Sequence, residues 1–527
     1  MSDFMTELKI ATDRVQPNVS VTENGAIGYK TSGQKLVDLN FMLSSMRNMA
    51  ENEIWDRFLA AYNENPLLAM IWMVFSRDVR EGCGERRTFR VIFERFCHEN
   101  EVSAIKLLPL IPFYGRWDDL LEVFAGKVPS NVRQKALTVI RKQLDDDLAN
   151  SKAGKPISLL AKWAWSSVTS SRETRRKAEL LRNALDMTQK EYRKTFSRLR
   201  KYLDVVEQKM SAREWSAIEY EYVPSRAAMN YRDAFWRHDK DRYEEYLSNV
   251  KSGNATIHSG ALFPYDIVHA YNTDGWCRKV DPTLEEQWKA LPNKVPPNGS
   301  TLVVVDGSGS MGCRIGNTQV TCHDVARSLG IYFAERLLGP YYNSFITFSA
   351  NPKFVYFADG LTLNAKLDIL ENYDECSNTD IEKVFDLILN VAIQNQVKQD
   401  EIPSNILIVS DMEFDEATTR GGWGYDYYSD DPRGGKPNKT LFDSIRGRWE
   451  KAGYKLPRLV FWNVCSRTGT IPVTTNELGV ALVSGFSPNI ADMVMSNTLD
   501  PYECLVDKLM SNRYLPVRTA LATDDEE

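Results

Sequence analysis

Thr301-Leu302-Val303-Val304-Val305-Asp306-Gly307-Ser308-Gly309-Ser310 is the stretch that decides the fold. Its apolar run shows no polar alternation, which predicts a strand buried on both faces, as in a parallel sheet covered by helices. The Gly/Ser segment behind it ends the strand in a sharp turn. Upstream, Leu291-Pro292-Asn293-Lys294-Val295-Pro296-Pro297-Asn298-Gly299-Ser300 is rich in breakers and marks a linker at 291–300. Downstream, the pattern alternates. A helix is expected over Val320 to Leu338, a strand over Ser344 to Ser349, and a helical stripe from Ile381 to Ala392. Further strands are expected at Ile406 to Val409, Leu459 to Trp462 and Val480 to Val483. Short apolar strands alternating with helices predict a doubly wound, mostly parallel sheet over 301–500.

In an open α/β sheet, ligands bind at the carboxyl ends of the strands, where Asp306-Gly307-Ser308-Gly309-Ser310 lies. A turn there lets Asp306, Ser308 and Ser310 converge, supplying oxygen ligands for a hard cation such as Mg²⁺ or Mn²⁺. Thr379, before a helix, and Asp411, after the strand ending at Ser410, complete a five-residue constellation. That set forms the pattern of a metal-ion-dependent adhesion site, and 300–500 resembles a von Willebrand factor A domain. The plainer reading is a Gly/Ser turn with helix caps at Thr379 and Asp411. Asp324, Asp380 and Glu413 read as caps or supporting residues outside the metal's ligand set. A phosphatase presents an Asp at the same place but needs an acid two residues on, where this chain has Ser308. Gly434 to Thr440 makes no phosphate loop, because Pro437 interrupts it and the Gly-Lys-Ser/Thr ending is missing. The Gly- and Tyr-rich insert 415–440 reads as a disordered surface excursion, or as a lid or partner-contact loop beside the metal loop.

Residues 41–290 are helical in pattern. Leu67, Leu68, Ile71, Val74 and Phe75 repeat at helical spacing, as do Phe89, Ile92, Phe93 and Phe96. Helices are expected over 101–124, 131–149, 157–168, 172–209 and 225–250, with no fixed repeat length, which suggests a degenerate, HEAT-like helical-repeat array. Residues 1–40 read as an irregular or short-stranded arm and not as a packed unit, and 501–527 as a C-terminal helix with an acidic tail. The phrases RDVREGCGER, YGRWDDL, ISLLAKW and VSDMEFD resemble a poorly characterised family of phages and plants that couples a helical region to a von Willebrand A domain. The overall plan is similar to that of the Ro/TROVE RNA-binding proteins, in which helical repeats are closed by such a domain.

That likeness implies an RNA ligand, and charge adds to it. Residues 151–240 hold 20 Lys/Arg against 11 Asp/Glu, while the whole chain carries −6. On 190–206, Tyr192, Phe196, Leu199, Leu203 and Val206 share one face, leaving Lys190, Arg193, Lys194, Arg198, Arg200 and Lys201 on the other sides. Arg77, Arg80, Arg86 and Arg87 are a second set of phosphate candidates. A solvated basic face and a glycine-capped helix end are the ordinary readings of these two groups. Trp163, Trp165, Tyr231, Phe235 and Trp236 are candidates for base stacking or, more commonly, for core.

At 527 residues the chain is too long for one small module, and 43% hydrophobic content excludes wholesale disorder. Eight scattered cysteines without a C-x-x-C pair suggest neither a zinc module nor a disulfide framework, and five isolated histidines suggest no catalytic dyad. No apolar stretch approaches a membrane span, so a soluble cytoplasmic protein is expected, in the host cytoplasm if phage-encoded. The sequence thus predicts a non-enzymatic, metal-dependent scaffold that binds RNA. The alternative is a protein–protein adaptor whose metal captures a partner carboxylate.

Overall fold

The computed structural model describes residues 18, 20–272, 279–295, 300–348, 351–373, 380–415, 441–472, 480–494 and 500–522. A short antiparallel hairpin, β1 (Ser20–Val21) and β2 (Ile27–Gly28), opens the described chain. A helical half follows, then a six-stranded sheet of β3 (Thr301–Asp306), β4 (Ser344–Phe348), β5 (Lys353–Tyr356), β6 (Asn405–Ser410), β7 (Arg458–Asn463) and β8 (Val480–Ser484). Its strand order is β5-β4-β3-β6-β7-β8. All pairings are parallel except that of β4 with the edge strand β5. Every residue of β3, β4, β7 and β8 is buried, as the unbroken apolar runs require. The helix Cys322–Ala334 lies so close to β3 that a Cβ at Gly330 would stand 2.6 Å from a Val305 methyl, so glycine there sets the helix-to-sheet spacing.

The strand order reverses between β3 and β6. A crevice therefore opens at their carboxyl ends, which carry Asp306 and Asp411. β5 and the helix Leu363–Glu371 were not expected from the sequence. The described helices of the N-terminal half run from 4 residues (Ile111–Tyr114) to 23 (Ser130–Lys152), so no constant repeat length accompanies them. The helix expected over 157–168 shrinks to Leu160–Trp163, and 172–209 breaks into Arg172–Ala184, Gln189–Tyr202 and the start of Val206–Ala212.

Both ends of the described chain cross between the halves. The described part of the arm has the short strands expected of it but is packed: Tyr29 and Ile471 exchange backbone hydrogen bonds of 2.7 and 2.8 Å, and Thr22 Oγ1 donates to the Phe414 carbonyl at 2.6 Å. The helix Lys35–Phe41 runs across residue 40, and the chain behind it docks where the Ser44 hydroxyl meets Ser484 Oγ (2.7 Å) and the Asn463 carbonyl (3.0 Å). At the other end, the helices Pro501–Leu509 and Leu515–Ala522 pack on Pro66–Arg77 and Glu101–Leu107. One continuous apolar core consequently runs through both halves, with a smaller second core around Tyr220, Phe235, Tyr243 and Leu247. Among the described residues no helix is long and apolar enough to cross a membrane.

Candidate metal centre and basic groove

Four of the five expected metal ligands are brought together, and Thr379 lies outside the described residues. Asp306 ends β3, and its Oδ1 accepts the Ser308 amide at 2.9 Å, which folds the Gly/Ser turn back on the carboxylate. Ser308 Oγ lies 3.0 Å from Ser310 Oγ, and the Ser310 hydroxyl is hydrogen-bonded to Asp411. Ser410 Oγ donates to Asp306 Oδ2 at 2.6 Å and accepts the Met412 amide at 2.9 Å, so the end of β6 is tied to the end of β3. Asp306, Ser308 and Asp411 are all at most 1% exposed, while Ser310 is partly open.

Two buried carboxylates side by side are electrostatically costly. Burial pushes the Asp306 carboxyl up, and burial together with the neighbouring Asp306 charge pushes that of Asp411 up further. Part of this is offset by Arg467, whose Nη1 lies 3.2 Å from Asp411 Oδ2 and 3.5 Å from the Ser310 carbonyl. Its Nε donates to Glu23 of the N-terminal arm at 2.8 Å. Nothing in the sequence pointed to Arg467. A hard dication suits this set, because every converging donor is oxygen and the negative charge is only partly balanced. Among the described residues no three His, Cys, Asp or Glu side chains are grouped to hold a metal, so this set would act through two carboxylates and hydroxyls.

Three further residues support the loop. Glu413 is wholly buried and accepts the amides of Arg467 (2.7 Å), Thr468 (2.9 Å) and Glu23 (2.8 Å), clamping the loop after β7 and the arm to the end of β6. Asp324 closes a capping box with Thr321 and also accepts His269 Nδ1 at 2.9 Å, docking Pro264–Asn272 on Cys322–Ala334. Asp380 caps its helix through the Lys383 amide at 3.3 Å. His323, which the sequence left without a role, places Nε2 3.1 Å from the Ser308 carbonyl, and burial lowers its pKa to about 4. The ring is therefore neutral near pH 7 and donates to that carbonyl. Cys313, Cys322 and Cys465 cluster beside the same loop.

Of the arginine set in the helical half only Arg77 is a correction, because Arg80, Arg86 and Arg87 stay exposed, and Arg86 and Arg87 line a groove with Arg90 and Arg95. RDVREGCGER and YGRWDDL meet in space: the Val79 amide donates to the Tyr114 carbonyl at 2.9 Å, and Arg77 Nε to Asp119 at 2.8 Å. Arg77 is 2% exposed and presents nothing to a phosphate. Arg80 caps the Phe113 carbonyl, and Arg87 holds the Met46 and Met49 carbonyls at 2.8 and 2.9 Å. Arg86 stays half exposed, 4.0 Å from Asp118. Nearby, Asp78 is fully buried and accepts two hydrogen bonds from Arg513, at 2.8 and 2.9 Å, and one from Tyr514 at 3.2 Å. The two phrases thus build a polar knot that anchors the C-terminal helices.

The second basic set differs. In Gln189–Tyr202, Tyr192, Phe196 and Leu199 are buried, while Lys190, Arg193, Lys194, Arg198 and Lys201 are exposed along a groove of about 980 Å³ walled by Ser166 to Val168. None of these five is paired with a carboxylate among the described residues. Arg200 is the exception, because it donates to the Ala161 and Ala164 carbonyls at 2.8 and 2.6 Å and holds ISLLAKW in place. Of the stacking candidates, Phe235 is core, Tyr231 and Trp236 pack against that core, and Trp163 and Trp165 lie under Arg116 and Lys177.

Residues 300–512 match a family model described as a domain of unknown function, DUF7788, and 167–301 match another, DUF2828. The chain is similar to an uncharacterised protein of Acanthamoeba polyphaga mimivirus, 28% identical over 518 residues, covering 91% of this chain and 85% of that protein. Among solved structures, the Ro (RSR) protein of Deinococcus radiodurans is matched over 85% of this chain and 92% of that one, at 14% identity and a TM-score of 0.39.

Proposed function

We propose that this chain is a non-enzymatic binding scaffold for RNA, with a degenerate, HEAT-like helical half and an A-like domain that binds Mg²⁺ or Mn²⁺. The groove on Gln189–Tyr202 carries the reading, because five exposed cations line one cleft without partner carboxylates among the described residues. Cations spaced along a helix neutralise successive phosphates and release counterions, giving salt-dependent affinity without base readout. Asp306, Ser308, Ser310 and Asp411, with Thr379, would hold the cation. When bound, it offers a positive centre to an acidic oxygen of RNA or of a protein partner.

Turnover needs a base within reach of an attacking water. His323 is committed to the Ser308 carbonyl, and both acids belong to the ion's own ligand set. Binding without chemistry is therefore the reading. The test is anisotropy of a labelled single-stranded RNA with wild type and with Arg193→Glu, Lys194→Glu, Arg198→Glu and Lys201→Glu combined. The variant should bind more weakly with a shallower salt slope, and chelation should weaken the wild type. Wild-type affinity and slope in the variant would sink the RNA assignment, leaving the adaptor reading to be tested with acidic peptides. RNA cleavage that vanishes in Asp306→Ala would overturn the non-enzymatic reading.

A further inference from the structure

The binding scaffold makes no use of the three sulfurs beside the motif loop. Residues 313–322 turn back on themselves: the Cys322 amide donates to the Cys313 carbonyl at 3.1 Å, the Ile315 amide to the Val320 carbonyl at 2.9 Å, and Arg314 stands opposite Thr321. This register sets Cys313 and Cys322 side by side, and their Sγ atoms lie 3.3 Å apart as free thiols. Cys465, from the loop after β7, touches both and is itself held by Asn48 Nδ2 at 3.3 Å. Their burial is graded. Cys322 and Cys465 are 0% and 1% exposed, whereas Cys313 is partly open, with Arg467 Nη1 at 3.6 Å from its sulfur. A small oxidant entering from solvent therefore meets Cys313 first, with a second thiol directly behind it.

We propose that Cys313 and Cys322 form a dithiol–disulfide pair oxidised by hydroperoxides, a modification site at the joint between the Asp306–Ser310 loop and the helix Cys322–Ala334. The Cys313 sulfur attacks one peroxide oxygen and the O–O bond breaks. Cys313 becomes a sulfenic acid, and the departing oxygen leaves as water, or as an alcohol from an organic peroxide, carrying the thiol proton. The Cys322 sulfur then attacks the sulfenic sulfur, and the S–S bond forms as the S–O bond breaks. That oxygen leaves as water with the Cys322 proton. Two thiols lose two electrons and one peroxide gains them. Cys322 is the resolving thiol because it lies across the hairpin from Cys313, while Cys465 is fixed by Asn48 on a separate loop. The cross-link would fasten the far end of the motif loop to the first turn of the helix.

Peptide mapping of the full chain tests this independently of any metal or RNA. After reduction and removal of the reductant, one equivalent of hydrogen peroxide at neutral pH should lower the mass by about 2 Da and yield a peptide linking Cys313 to Cys322 that dithiothreitol reverses. In Cys322→Ser, that link should be lost completely and a dimedone adduct should appear on Cys313. A Cys313–Cys465 link as the main product, sulfinic acid at Cys313 without any link, or no reaction in the folded wild type would each overturn the proposal. The wild-type mapping decides the matter even if the serine variant does not fold.

Discussion

Arg467 Nη1 stands 3.2 Å from Asp411 Oδ2, so the carboxylate expected to hold a divalent ion carries an internal cation. The guanidinium is steered there by Glu23 of the arm and by Glu413, which fixes the Arg467 amide. A dication entering between Asp306 and Asp411 would meet this charge at close range, and like charges there oppose one another. Replacing Arg467 by Ala should raise Mg²⁺ affinity by about tenfold, equivalent to about 1.4 kcal/mol, as read by titration calorimetry. Unchanged or weaker affinity in a folded variant would show that the arginine supports the site instead of competing for it. Asp306→Ala should abolish binding in either background.

Proton linkage should mark the same pair. The Asp306 carboxyl is pushed up to about 6 and that of Asp411 up to about 8, both mainly by burial. An acid whose pKa is higher in the folded than in the unfolded chain lends stability at low pH that is lost as pH rises through the folded value. Below about 6.5 the neutral, buried His323 acts in the opposite direction, because it must stay uncharged while the unfolded chain protonates. Between pH of about 6.5 and about 8 Asp411, the higher of the two, acts without that opposition. In that window the melting temperature of the metal-free chain should fall with pH, and Mg²⁺ affinity should rise as the acids ionise. A flat melting profile that Asp411→Asn leaves unaltered would contradict this.

The C-terminal helices should depend on a single buried acid. Asp78 accepts both Arg513 bonds and the Tyr514 hydroxyl, and its own exposure is zero. Removing the guanidinium leaves the buried Asp78 charge with only the Tyr514 hydroxyl and the Arg80 amide, at a cost of about 3 kcal/mol. Arg513→Ala should therefore destabilise the whole chain and open 501–522 to limited proteolysis before the rest. A protease-resistant C-terminus with unchanged denaturant midpoint would argue that packing on Pro66–Arg77 suffices.

The sequence reads well where burial is complete and local. β3, β6, β7 and β8 are unbroken apolar runs, so their positions follow from the pattern, and Asp306 and Asp411 from the ends of β3 and β6. It reads poorly where one face is open. In β5 only Val355 is fully buried and Phe354 is 58% exposed, so the edge strand lacks the apolar signature. Residues 157–168 show helical periodicity, yet Ser158 turns to Asp147, and Arg200 takes the Ala161 and Ala164 carbonyls, leaving one turn of helix. Arg467 and Cys465 join the site from a loop more than 100 residues beyond the Asp306–Ser310 turn, a proximity that only the sheet order creates. No local motif announces it.

Arg77 and the groove cations should separate under mutation because their surroundings differ. Arg77 reaches Asp119, 42 residues along the chain, inside the protein, and a guanidinium fork at such a site is not replaced by an ammonium. Arg77→Ala should lower unfolding free energy by about 3–5 kcal/mol, and Arg77→Lys should recover little of it, because Asp119 would keep a buried charge without its matched donor. RNA affinity of the folded fraction should not move in either variant. Arg193→Glu and Lys194→Glu, on solvent-facing positions of Gln189–Tyr202, should change stability by less than about 0.5 kcal/mol while weakening RNA binding. Parallel denaturant melts and anisotropy titrations would check both halves of this statement. If Arg77→Ala weakened RNA binding with its stability intact, the arginine would have to leave Asp119 for phosphate, and the buried pair would be a resting state instead of a fixed part of the core.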